Sequence, residues 1–299
     1  MKKLLLLAVA AQASASAFAA TCQTSDVKIT DIYRYSNTSS TATLSPIVTG
    51  GSINADACAG AYAGNDGFYP TTNLGYAGDG LLNGGVQQGT GAVIFEGGAF
   101  IDENYPLQDL NPNDGEATAN DPGWIMVGKH EAGANGNSVF KPDSIGGTAG
   151  IFLDSFFSLT VDSPGVGTWS FTPDAEAGKR AEKVLGKNWF DQLAIVFKAG
   201  NSFAVYDFSF SEAIKAGILG ELPTAEDPLF NWSGTYDVSK TLRTGGQTGE
   251  KNPAGISHVS LWIRDPAFAV TNEVPEPASL ALLGLGLATL RLSRRRRVS

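Results

Sequence analysis

The stretch "LAIVFKAGNSFAVYDFSF", residues 193–210, decides how the chain is read. Leu193, Ile195 and Phe197 alternate along its first half, and Phe203, Val205 and Asp207 along its second. Alternation with period two belongs to strands, whose successive side chains point to opposite faces. Ala199-Gly200-Asn201-Ser202 lies between the halves and predicts a hairpin loop, because Gly and Asn tolerate the positive φ that tight turns require.

Similar runs recur along the chain. VKITDIYRY (27–35), AVIFEGGAFI (92–101), WIMVGKH (124–130), GIFLDSFFSLTV (150–161), GTWSFTP (167–173) and ISHVSLWIR (256–264) are rich in β-branched and aromatic residues. Asp66-Gly67, Asp79-Gly80, Asn83-Gly84, Asp114-Gly115 and Asn135-Gly136 stand between them as turns with φ > 0. Short strands separated by turn signals predict an all-β fold, here a jelly-roll-like β-sandwich. Helix signals are few. Asp174–Leu185 has an acidic start and a basic middle, and Ser211–Leu219 has Ser211 as N-cap, so a short helix is expected at each.

Both ends read as addresses. Residues 1–20, MKKLLLLAVAAQASASAFAA, place Lys2 and Lys3 before an apolar run and end on Ala17-Phe18-Ala19. A charged start, a short hydrophobic stretch and a small-x-small site predict a signal peptide at 1–19, leaving a mature chain from Ala20 or Thr21. At the other end, residues 274–299 read VPEPASLALLGLGLATLRLSRRRRVS. Ala278–Leu290 is uncharged and 13 residues long, about 20 Å as a helix against roughly 30 Å of bilayer hydrocarbon. Extending the helix through Leu292, with Arg291 and Arg294 snorkelling, narrows the gap enough for a temporary span. Arg294, Arg295, Arg296 and Arg297 would then stay cytoplasmic. Pro275 and Pro277 hold Val274–Pro277 extended. On spacing alone that segment is either a grip for a processing enzyme or simple helix-start punctuation.

The ordered set of Val274-Pro275-Glu276-Pro277, Ala278-Ser279, an apolar run with Leu-Gly-Leu, and Arg294 to Arg297 resembles the PEP-CTERM sorting signal. Such tails occur on exported proteins of Gram-negative bacteria that make exopolysaccharide. The resemblance implies recognition by an exosortase, a membrane-embedded cysteine transpeptidase, cleavage near Pro-Glu-Pro, and delivery to the cell surface or matrix. It divides the chain into a signal peptide (1–19), a β-sandwich ectodomain (20–272) and a sorting signal (273–299) with one hydrophobic helix. Lys198-Ala199-Gly200, Tyr206, Gly234-Thr235-Tyr236, Ser257-His258 and the segment Asp56–Asp66 further resemble a β-sandwich ectodomain common among PEP-CTERM proteins. That second resemblance implies an architecture and a surface setting, and no catalytic set.

Net charge is −9 over 299 residues. Setting aside the seven basic residues Lys2, Lys3, Arg291 and Arg294 to Arg297 leaves 14 basic against 30 acidic, a net of −16. So acidic a domain repels nucleic acid. Cys22 and Cys58 are the two cysteines, and an even pair in an exported chain predicts a disulfide.

Marked chemistry is sparse. His130-Glu131 begins like the zinc motif His-Glu-x-x-His, but position 134 is Ala, so a turn after a strand is expected there. His258 shares a strand face with Ile256, Ser260 and Trp262, opposite Ser257, Val259, Leu261 and Ile263; it is read as a hydrogen-bonded structural residue, with catalysis as the rival. Asp109, Asn111, Asn113, Asp114 and Glu116 form the best oxygen-ligand cluster. Counted from Asp109, Gly115 falls at position seven rather than six and Asn120 at twelve, out of register for a Ca²⁺ loop, so a solvated loop is expected. Trp124, Trp169, Trp189, Trp232 and Trp262 offer either core packing or a sugar-stacking platform.

The expectation is a non-enzymatic exported protein with no cofactor, structural, adhesive or exopolysaccharide-associated in role. Its partners would be the Sec machinery, signal peptidase, an exosortase and exopolysaccharide, with transient insertion in the inner membrane. The alternatives are a secreted polysaccharide hydrolase using two unmarked carboxylates and a Ca²⁺-stabilised carbohydrate-binding module.

Overall fold

A computed structural model describes residues 21–36, 43–48, 51–69, 73, 75–101, 123–131, 139–142, 157–172, 192–209, 230–244 and 252–264. All of them lie in the compact unit Met1–Asp265. Apart from one 3-10 turn at Thr24–Asp26, the regular elements described are strands: β1 (Val27–Ser36), β2 (Thr43–Val48), β3 (Ile53–Asn54), β4 (Ala57–Ala63), β5 (Phe68–Tyr69), β6 (Val86–Gln87), β7 (Ile125–Glu131), β8 (Val139–Pro142), β9 (Phe157–Ser163), β10 (Val166–Phe171), β11 (Gln192–Ala199), β12 (Ser202–Ser209), β13 (Phe230–Asp237) and β14 (Ile256–Arg264).

The 193–210 stretch forms the expected hairpin. β11 and β12 pair in antiparallel register from Gln192–Ser209 to Ala199–Ser202, and Gly200 takes φ +53° in the two-residue turn. The hairpin sits inside a sheet of order β4-β12-β11-β14-β7-β8. A second sheet runs β2-β1-β13-β10-β9, with β3 also on β1. All the pairings among the described strands are antiparallel, so the fold is all-β.

One buried cluster draws on both sheets. Val27, Ile29, Ile32, Phe157, Trp169, Trp232 and Tyr236 enter it from the β1 sheet, and Val127, Leu193, Ile195, Phe197, Tyr206 and Leu261 from the β11 sheet. Each such side chain stabilises by roughly 1.5–3 kcal/mol through removal from water. Polar links add direction. Asp26 Oδ2 accepts from the Tyr206 hydroxyl at 3.0 Å and from Thr241 Oγ1 at 2.8 Å. Trp169 Nε1 donates to the Lys28 carbonyl at 3.2 Å by passing over Gly234, where a Cβ would lie 2.6 Å from that nitrogen. Only glycine fits beneath the indole.

The β11 sheet is buried on its other face too. All eight residues of β11 are buried. Ala194, Val196, Phe203, Val205 and Trp262 form a second cluster with Phe68, Leu81, Leu82, Phe95, Ala99 and Trp124. AVIFEGGAFI, expected as a strand, instead follows turns and a single bridge at Val93, and packs Phe95 and Ala99 onto this outer face. Two asparagines fasten the covering segment to the free edge at the start of β7. Asn83 Nδ2 donates to the Trp124 carbonyl at 2.7 Å while its Oδ1 accepts from Trp124 N–H at 2.7 Å. Asn73 does the same with Met126, at 2.8 and 2.7 Å. Each amide side chain thus stands in for one residue of a neighbouring strand.

Some expectations are corrected. Gly80 and Gly84 take φ +72° and +83°, but Gly67 is not in the left-handed region. β7 runs through His130 to Glu131, and the turn expected after it lies outside the described residues. The expected helices at 174–185 and 211–219, the turns at 114–115 and 135–136, and Trp189 lie outside the described residues.

Two titratable groups are buried in the neutral form's favour. His130 lies edge-on to Phe157, with ring centroids 6.2 Å apart, and burial holds its imidazole below the ordinary 6.5. Asp207, on the outer face, accepts from Gln192 Nε2 at 3.0 Å, and Gln192 Oε1 accepts from Arg264 at 2.9 Å. Burial pushes Asp207 up to about 8, the Gln192 hydrogen bond opposing, Asp56 reinforcing and Arg264 opposing.

Two outcomes are expected. Cys22 and Cys58 are joined in a disulfide spanning 36 positions; opening it with Cys22→Ala and Cys58→Ala should lower stability by up to about 4 kcal/mol in the chain-entropy model, read from urea midpoints. Asp207 holds its proton more tightly folded than unfolded, so its contribution to stability falls as pH rises from 3.8 to about 8 and levels off above. Asp207→Asn should flatten that part of the stability–pH curve, and an unchanged slope would contradict the assignment.

Candidate functional site

Register on the outer face of the β11 sheet gathers the charges. Lys198 on β11 lies opposite His258 on β14, and His258 lies opposite Glu131 on β7. Two rungs along, Ser260 pairs with Lys129. Because side chains alternate along a strand, Lys129, His258 and Lys198 share one face. The expected alternation of β14 holds from His258 onwards, whereas Ile256 joins the shared core. The cause is a register shift at Lys198/Ala199, where Ile256 rather than Ser257 pairs with Ala199.

Asp66 reaches this face from the segment after β4. His258 Nε2 lies 2.9 and 2.8 Å from its two carboxylate oxygens, and Lys129 Nζ lies 4.0 Å from Oδ2. The Asp66 side chain is only 2% exposed, against 16% for His258 and 28% for Lys129. Burial pushes the Asp66 carboxyl up, but the hydrogen bond and charge of His258, the charge of Lys129 and a backbone hydrogen bond outweigh it. The net result lies below the usual carboxylate range. Lys198 is buried and donates to the Gly200 carbonyl; burial lowers its pKa, Asp66 acting against that and Lys129 with it.

Beside this group a cavity of about 210 Å³ opens between the covering segment and the sheet. Its floor includes Met126 and Trp262, its cover Phe68, Asp79 and Leu81, and Asp66 and Lys129 belong to its lining. Trp262 Nε1 donates to Ser260 Oγ at 3.1 Å, which fixes the indole.

Of the residues weighed for chemistry in the sequence, His258 comes to this polar group and Trp262 borders the cavity; Asp66 and Lys198, noted only for the ectodomain resemblance and a turn, join it. Trp124, Trp169, Trp232 and Trp262 are buried at 0, 2, 3 and 6% exposure, which corrects the idea of an open tryptophan platform for these four. Asp109, Asn111, Asn113, Asp114 and Glu116 lie outside the described residues, as do Val274 to Pro277 and Arg294 to Arg297. Among the described residues no group of three or more His, Cys, Asp or Glu is arranged to hold a metal, and no helix is long and apolar enough to cross a membrane. Asp66, Lys129, Asn73 and Asn83 were missed as site residues. Asp66-Gly67 and Asn83-Gly84 carried only a turn signal, and Lys129 only a polar break in an apolar run.

Comparison with known families adds the other functional element. Residues 273–297 match the PEP-CTERM protein-sorting motif. The chain therefore carries the address of a PEP-CTERM exosortase substrate, which supports export and membrane-transient sorting toward the cell surface. Neither the curated proteins nor the solved structures contain a match to the chain.

Removing either partner of the Asp66–His258 pair leaves the other partly buried and uncompensated, a loss of about 3 kcal/mol or more. Asp66→Ala should therefore destabilise the chain, and the double change with His258→Ala should cost less than the sum of the single ones. Additive single effects in a double-mutant cycle would show that the contact carries no coupling.

Proposed function

We propose that this chain is an exported β-sandwich protein of the cell surface or extracellular matrix, structural, adhesive or exopolysaccharide-associated in role, and without catalytic turnover. The observation that carries the reading is the sorting motif at 273–297. Pro275 and Pro277 keep the Val274–Pro277 segment extended for an exosortase, Ala278–Leu292 inserts transiently, and Arg294 to Arg297 hold the tail on the cytoplasmic side. The signal peptide at 1–19 hands the chain to the Sec machinery and signal peptidase. Packing of both sheets onto one cluster supports the sandwich.

The site supports a role without turnover. His258 Nε2 is committed to Asp66. The one hydroxyl on its face of β14, Ser260, is buried and accepts from Trp262. An activated nucleophile needs a base within hydrogen-bond reach, and this imidazole nitrogen is instead used to hold the covering segment. The reading requires no cofactor.

Two measurements test the sorting. Intact mass of the protein from surface fractions of its native host should correspond to a chain from Ala20 or Thr21 to near Pro277, two hydrogens short. A mass retaining Ala278–Ser299 would make the tail a permanent anchor. Replacing Pro275, Glu276 and Pro277 by Ala should trap the protein in the cytoplasmic membrane, and normal release of that variant would sink the proposal.

A further inference from the structure

The cavity over β7 and β14 has a composition that ionic bridging alone does not require. Phe68, Leu81, Met126 and Trp262 give it apolar surface, while Asp66 and Lys129 supply an acceptor and a donor. Small-molecule sites combine largely apolar walls with a few fixed polar groups. The polar groups here are fixed: Asp66 is held by His258 at 2.8 Å and faces Lys129 at 4.0 Å. Asn73, Asp79 and Gln88 also belong to the lining, so the cavity carries several hydrogen-bonding groups of both kinds beside that pair.

Gly80 lines the cavity with Trp262, and a Cβ there would stand 3.0 Å from Trp262 Cη2. Glycine at 80 lets the covering backbone come close to the six-membered ring without a side chain between them. At about 210 Å³ the space is below the roughly 300–1,000 Å³ of drug-sized sites, which suits a single ring. Gln88, exposed, and Lys129, at 28% side-chain exposure, connect it to solvent, so a chain end or a branch has a way in.

We propose that this cavity binds one neutral sugar residue, its C–H surface against Trp262 and Met126 and its hydroxyls toward Asp66 and Lys129. Such a ligand offers apolar C–H patches and uncharged donors and acceptors on one small ring, which is the mixture that the lining presents. The proposal deepens the matrix-associated reading and names the chemical class that the ectodomain would hold. It relies on that reading for its biological setting only.

The test is saturation-transfer NMR on the full chain, purified in a sugar-free detergent such as an amine oxide. The probes are the methyl glycosides of glucose, galactose and mannose, with glucosamine and glucuronate as charged comparators. Saturable transfer to at least one neutral glycoside is expected, weakened tenfold or more by Gln88→Trp, which fills the mouth from an exposed position. Lys129→Ala should weaken it as well, and Gln88→Trp should keep the parent melting temperature. Absence of saturable transfer to every neutral glycoside would overturn the proposal. So would binding that Gln88→Trp leaves unchanged, or a salt-sensitive preference for glucosamine or glucuronate, which would make the site ionic. Because the measurement does not depend on where the protein is delivered, its failure is separable from a failure of sorting.

Discussion

Ala194, Val196, Phe203 and Val205 face away from the core that the two sheets share, and the segment from Gly64 to Ile101 keeps water off them. Among its described residues that segment has little regular structure of its own beyond the two-residue ladder of β5 and β6 and the Val86–Val93 bridge. It cannot hold its shape by backbone pairing alone, so apolar burial and side-chain tethers must do so. Asn73 and Asn83 pair with the backbone of β7, Gln87 Nε2 donates to the Asn65 carbonyl at 2.8 Å, and Asp66 meets His258. The cavity lies where cover and sheet do not quite fill the space between them. The candidate site therefore follows from the need to cover a second apolar face.

That double burial also explains what the sequence did and did not disclose. Period-two alternation in 193–210 is a correct reading of the hairpin, but Ala194 and Val196 make the run nearly continuous because its second face is dry as well. The cover was illegible for the opposite reason. Its Gly-, Asn- and Asp-rich composition reads as turns, and nothing local tells a solvated turn from one pinned to a sheet. Asn73 meets Met126 across 53 positions, Asn83 meets Trp124 across 41 and Asp66 meets His258 across 192. Such pairings are tertiary facts. The two cysteines were legible because an even pair in an exported chain favours a disulfide over a nucleophile or metal site, and the structure joins them.

The sorting tail is legible for a different physical reason. Its information is linear: Pro-Glu-Pro, an apolar run and a basic cluster follow one another in order along the chain, so the motif is readable without a fold. A binding cavity has no such order. Its lining comes from the 66–88 region, from β7 and from β14, and the register shifts in β14 determine which side chains face it.

Asn83-Gly84 has a further consequence, for how the protein ages. An asparagine followed by glycine is chemically fragile, because the unhindered glycine nitrogen can attack the side-chain amide and leave a carboxylate. Neither residue is easily exchanged here. The amide at 83 must both donate to and accept from Trp124, and a Cβ at 84 would come within 2.9 Å of the Phe95 carbonyl. While the cover is seated, the amide is buried and held, out of reach of that reaction. Each time the cover lifts, the clock runs, and a carboxylate formed meanwhile cannot donate to the Trp124 and Asp79 carbonyls when it closes again. Burial and hydrogen bonding at Asn83 thus protect this Asn-Gly step for as long as the cover stays seated.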